Sequence, residues 1–112
     1  MFQIVIANQD ESLNAELEHS LELHDAVHVV GVATNGLDAL DLVWECEPNV
    51  IVVGPVKPPM EGSTLLRLVR AARPLTLLVA LEEAAEGVST LPDAAHACLR
   101  HDSDGGLRLV PA

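Results

Sequence analysis

"NVIVVGPVKPPMEG", residues 49–62, decides the fold. Its first half is an unbroken apolar run, Val50 to Val53, of the kind a strand buried on both faces shows. Its second half breaks into glycine and three prolines and then opens a helix at Gly62. In α/β proteins, chemistry gathers where such a strand delivers its carboxyl end to a loop. The residue at that tip is Gly54, which has no side chain.

Working outward, the same alternation recurs every 25 residues or so on both sides. "FQIVIA" (2–7) predicts a first strand, and Asp10 is placed to cap a helix carrying Leu13, Leu17 and Leu21 on one face. "VHVVGV" (27–32) predicts a second strand, followed by the turn "TNG" and a helix over about 36–46. Leu37, Leu40, Val43 and Trp44 form that helix's apolar stripe, with Trp44 expected in the core or filling a groove. A third helix follows Gly62, burying Leu65, Leu66 and Val69. "TLLVAL" (76–81) predicts a fourth strand, and "EEAAEGVSTL" (82–91) a helix weakened by Gly87. "HACLR" (96–100) predicts a fifth strand, and "DSDGGLRLVPA" one or two helical turns at most. Strands alternating with helices over short connections imply a parallel sheet with helices on both faces.

Composition bounds the function. The 112 residues suffice for one domain with one modest core, and 49% are hydrophobic. Net charge is −11, from six Lys and Arg against 17 Asp and Glu, the wrong sign for binding phosphate backbones. One Phe, one Trp and no Tyr leave no stacking platform for bases. No apolar run reaches membrane-spanning length, and "MFQIVIANQD" lacks the basic start of a signal peptide. Cys46 and Cys98 are too few for a disulfide framework or a zinc site, so a cytoplasmic setting fits.

Four separated landmarks carry a family resemblance. "VHVVGVATNGLDALDLVWECEPNVIVVG" (27–54) resembles the middle of a bacterial response-regulator receiver domain, roughly "VVGEAANGEEALELV…PDVVLLD". "GPVKPPMEG" (54–62) resembles that family's "DLRMPGMDG", with Pro58, Met60 and Gly62 matching and Glu61 standing for Asp. "IVIANQD" (4–10) is similar to "VLIADDH", and "CLRHDSD" (98–104) to "YLLKDSD". The spacing agrees without insertions from residue 2 to about 104, and is closest to regulators carrying a C-terminal helix-turn-helix domain. The resemblance implies a flavodoxin-like, five-stranded parallel sheet in the order 2-1-3-4-5, with the fifth helix shortened or missing. It also implies that residues 1–112 are one receiver-like domain, with DNA contacted by a further C-terminal domain.

In that family an acidic pair after strand 1 and an acceptor Asp after strand 3 hold Mg2+. A hydroxyl after strand 4 and a Lys after strand 5 contact the phosphoryl group. Magnesium prefers hard oxygen ligands, and only a carboxylate forms an acyl phosphate. Carried onto this chain, the acidic pair falls on Asn8 and Gln9, and the acceptor on Gly54. The hydroxyl falls on Ala80, or Leu81 one step on, and the lysine on His101. All five depart from the pattern, and residues 48–60 hold no Asp or Glu. Asp10 and Glu11 remain as a polar remnant. The expectation is a regulatory domain that takes no phosphate, is no enzyme, and holds neither metal nor cofactor. It would act as a homodimer or on a partner protein through the helix 4–strand 5–helix 5 face, represented by Leu91, Ala95, Cys98, Arg100 and Leu107. The alternative is a small-ligand sensor using the vacated cleft.

Other candidates carry less. His19, His24 and His28 with Asp25 fit no metal-ligand spacing and read as a solvated helix end leading into a strand. Cys98 reads as a buried strand cysteine, and His101 as an exposed loop histidine or, facing the site, a pH switch. Pro58–Pro59 shapes its loop, with a cis bond open to it.

Overall fold

Period-two burial builds the centre of the molecule. A computed structural model describes residues 2–83, 95–101 and 107–111. In β1 (Phe2–Ala7) the side chains alternate: Val5 and Ala7 enter one core cluster, Ile4 and Ile6 another on the opposite face. β3 (Val50–Val53) lies beside β1 and β4 (Leu77–Glu83) and is central, which is why its sequence is apolar throughout. β2 (Val27–Ala33) pairs with the other side of β1, with one register irregularity opposite Ile4 and Val5. β5 (Ala97–His101) adds beyond β4, anchored by His96, whose backbone N–H bonds Leu78 O and whose Nδ1 accepts from Leu78 N.

The parallel strands therefore stand in the order 2-1-3-4-5, and a sixth strand closes the edge. β6 (Leu107–Pro111) runs antiparallel to β5, pairing Leu107 with His101 and Pro111 with Ala97. This corrects the expectation of a five-stranded sheet ending in helical turns. A strand satisfies β5's outer backbone groups with five residues, too few for a stable helix of their own. His101 is likewise the last residue of β5 and not part of a loop. Glu82 and Glu83 end β4 instead of opening a helix, and the rest of the helix expected over 82–91 lies outside the described residues.

Three helices cover the sheet. α1 (Glu11–Glu22) packs Leu13 and Leu17 onto the Ile4–Ile6 face, with Leu21 partly buried against it. α2 (Gly36–Cys46) and α3 (Gly62–Ala72) pack Ala39, Val43, Leu65, Leu66 and Val69 onto the other face. Trp44 is not in the core: it is 55% exposed, and Leu37 61%. The apolar stripe of α2 is wider than the surface the sheet offers it. Asn35 caps α2 by accepting from Asp38 N at 2.9 Å, and Glu47 ends it in the left-handed conformation glycine usually takes.

Asp10 caps α1, accepting from Leu13 N at 3.1 Å. Asp10→Ala is expected to lower stability by about 1 kcal/mol, read as a shift in the urea midpoint at unchanged slope. No helix among the described residues is long and apolar enough to cross a membrane.

Candidate functional site

The carboxyl ends of β1, β3 and β4 meet at one point. The ladder continues past the strand ends, with Gly54 N donating to Ala7 O at 2.8 Å and Gln9 N to Pro55 O at 2.7 Å. Asn8 N donates to Ala33 O at 2.9 Å. Asn8 is thereby drawn inward, to 2% exposure, while Gln9, Asp10 and Glu11 stay on the surface. Asp10 is occupied in capping α1, and Glu11 stands in that helix's first turn.

Asn8 and Gly54 are in direct contact. A Cβ built on Gly54 would stand 2.6 Å from Asn8 Oδ1, 3.1 Å from Asn8 Cγ and 3.2 Å from Leu81 Cδ2. The place of a side chain at 54 is therefore filled from within, by an amide and a leucine methyl. Gly54 is also held from the other side, because a Cβ on Gly62 would meet Gly54 O at 2.9 Å. Two close backbone and side-chain approaches leave room for glycine alone at these positions.

Of the two candidates in β4, Leu81 reaches the site. Ala80 pairs with Val53 and points into the α2–α3 side of the core, while Leu81 belongs to the α1 side. His101 pairs with Glu83, two residues beyond Leu81 along β4, and only its backbone is described. Asn8, Gly54 and Leu81 are thus brought together, and Gln9 lies outside them.

The pattern search missed Asn14. It is 4% exposed, and its Nδ2 donates to Asn8 O at 2.8 Å. A polar residue interrupting the α1 stripe between Leu13 and Leu17 was the available signal. Asn8 Nδ2 and Asn14 Oδ1 are both buried without a partner. The two amides form a buried polar patch with no charge in it.

Beside this patch, an open cleft of about 350 Å³ is lined by Asn35 to Asp38 and Lys57 to Met60. Lys57 N bonds Thr34 O at 3.0 Å, Met60 lies on Gly36, and Pro58–Pro59 is cis. Neither Asn8 nor Gly54 lines it. Among the described residues no three His, Cys, Asp or Glu side chains group to hold a metal ion. His28 instead pairs with Glu22, Nδ1 to Oε1 at 3.2 Å.

The residues expected to form a contact face divide. Ala95 is 7% exposed within the core cluster, so it supplies packing and no contact surface. Leu91 lies outside the described residues, and Cys98, Arg100 and Leu107 are placed by backbone only: Cys98 opposite Ala80 and Val110, Arg100 opposite Glu82 and Arg108, Leu107 opposite His101. Where a shortened or missing fifth helix was expected, β6 stands.

No family model matches the chain. A protein-glutamate methylesterase/protein-glutamine glutaminase of Methanococcus maripaludis is 30% identical over 77 residues, covering 69% of this chain and 21% of that protein. The chain spans about a quarter or less of the curated relatives it matches. A two-component response regulator of the LuxR family from Aurantimonas superposes with a TM-score of 0.77 at 17% identity, over 94% of this chain and 77% of that one. A DNA-binding response regulator of the LuxR family from Staphylococcus aureus gives 0.67 at 25% identity, over 72% and 68%.

Proposed function

We propose that this chain, whose fold is that of the receiver domains of two-component response regulators, regulates without accepting a phosphoryl group. The observation that carries this reading is the contact between Asn8 and Gly54, an amide seated where an acceptor's side chain would project. An acyl phosphate needs a carboxylate at that point, and Mg2+ needs carboxylates around it. Here the buried groups are two neutral amides, and Lys57 is the one charged side chain of the loop from Gly54 to Met60.

With no covalent input, the conformational equilibrium of such a domain responds to concentration, partner binding or a ligand. We therefore read the domain as a non-enzymatic association module, its surface acidic, any DNA contact being made by a separate domain. The alternative of a small ligand in a vacated slot has no slot at Gly54, since Asn8 and Leu81 fill it.

Incubation with acetyl phosphate and Mg2+ is expected to leave the mass unchanged, and beryllofluoride with Mg2+ to leave the amide spectra unchanged. Saturable, Mg2+-dependent shifts at Asn8, Gly54 and Leu81 would overturn the reading.

A further inference from the structure

We propose that the seam between α2 and α3 is a self-complementary surface on which a second copy of this chain docks. The proposal rests on the reading of the domain as an association module and moves its contact away from the expected helix 4–strand 5–helix 5 face.

The seam begins in helix geometry. At 100° per residue, Leu37 and Trp44 share one flank of α2, between the buried line of Ala39 and Val43 and the solvent ridge at Asp41. That flank faces α3, because Arg73, which closes α3, stacks on the Trp44 ring at 4.7 Å. The opposite flank carries Leu42, which lies against Gly31 of β2. α2 and α3 both run back along parallel strands and so share a direction. The flank of α3 turned toward α2 is then the one bearing Leu68. Leu37, Trp44 and Leu68 are 61%, 55% and 43% exposed, three large apolar side chains on one surface.

Charge names the occupant. On either side of the apolar seam, α2 presents acidic Asp41 and Glu45 and α3 presents basic Arg67, all exposed. A two-fold axis lying in the seam, parallel to both helices, lays α2 of one copy over α3 of the other. Apolar then meets apolar, and each acidic ridge meets a basic one, as an isologous contact requires. Asp41 and Arg67 each stand five residues past the first residue of their helix, Gly36 and Gly62. Elsewhere two copies of net charge −11 repel. Arg67, Arg70 and Arg73 are three of the six cations in the whole chain. Trp44 is already held in place, since Arg73 also pairs with Glu47 at 3.2 Å.

Sedimentation velocity over a concentration series tests this, with the emission of Trp44, the sole tryptophan, recorded in parallel. The wild-type chain is expected to associate to a dimer, with Trp44 emission shifting to the blue as it does. Trp44→Glu and Leu68→Glu are each expected to raise the dissociation constant at least about tenfold. Asp41→Arg and Arg67→Glu each weaken the dimer, and the double exchange restores it at unchanged net charge. Asp41→Arg is the sharpest arm, because reducing the general repulsion alone would strengthen association. A dimer indifferent to all four substitutions overturns this surface and leaves the association reading standing. A monomer at every concentration overturns this surface and the homodimer, and leaves association with a different protein as the form of the reading that stands. Circular dichroism melts of each variant exclude unfolding as the cause.

Discussion

Gly54→Ala is expected to lower stability by about 1–3 kcal/mol, although the position is glycine with no positive φ to require it. The new methyl would stand 2.6 Å from Asn8 Oδ1, and Asn8, at 2% exposure, has little space into which to withdraw. Gly54→Asp adds a carboxylate to a buried site whose neighbouring groups are neutral, and loses more. The change therefore fails to reinstate phosphoryl acceptance, since Asn8 and Gln9 still supply no anion for a metal. The two positions are coupled: in an Asn8→Ala background the Gly54→Ala loss falls by about 1 kcal/mol, because the obstructing amide is gone. Urea titration of the four proteins in this cycle measures the coupling. Additive losses would show that Asn8 moves aside freely and that the slot is not occupied in the sense described.

A larger loss is expected at the centre of the sheet. Ile51 lies between Val5 on β1 and Leu78 on β4, and all three are fully buried. Ile51→Ala removes three carbons from the middle of this row, where neighbours on both sides are fixed by hydrogen-bonded register and collapse poorly. The expected loss is about 2–5 kcal/mol, a large fraction of the stability of a domain this size. Val32→Ala, on the edge strand β2 at 40% exposure, is the contrast and is expected to lose under about 1 kcal/mol. Equal losses at the two positions would mean that the β1–β3–β4 row is not the centre of the core.

These two sites differ in how far the sequence reveals them. Ile51 is legible at once, because a run of four β-branched residues bounded by Asn49 and Gly54 has few other readings. The contact of Asn8 with Gly54 is not: they are 46 residues apart and meet only through the register of β1 on β3. Alignment to a family identified both as altered positions, yet nothing in either residue says that one fills the other's place. Trp44 misled for a different reason. It follows Val43 in an apolar stripe, but the next residue on a helix is turned by 100°, which carries it from the sheet to the flank. The last segment held a signal that was overlooked. In "LRLVP" the first three residues alternate apolar and charged, a period of two, and the structure pairs this segment with β5 as a strand. The expectation of another βα unit, together with its shortness, hid that pattern.

The direction of β6 has a practical side for anything attached to this domain. Because it runs against β5, Pro111 returns to the level of Ala97, where β5 begins. The four steps from Leu107 to Pro111 carry the backbone roughly 14 Å back down the sheet. The register sets Ala97 level with Val79, Val52 and Ile6, so a tether joined beyond Pro111 would leave only two residues below the level of Asn8 and Gly54, at the far edge of the sheet. A fluorophore, affinity handle or fused domain placed there would be kept from the amide patch by the width of β4 and β5, roughly 14 Å across three strand spacings. A probe meant to report on Gly54 belongs instead on an exposed loop residue such as Lys57.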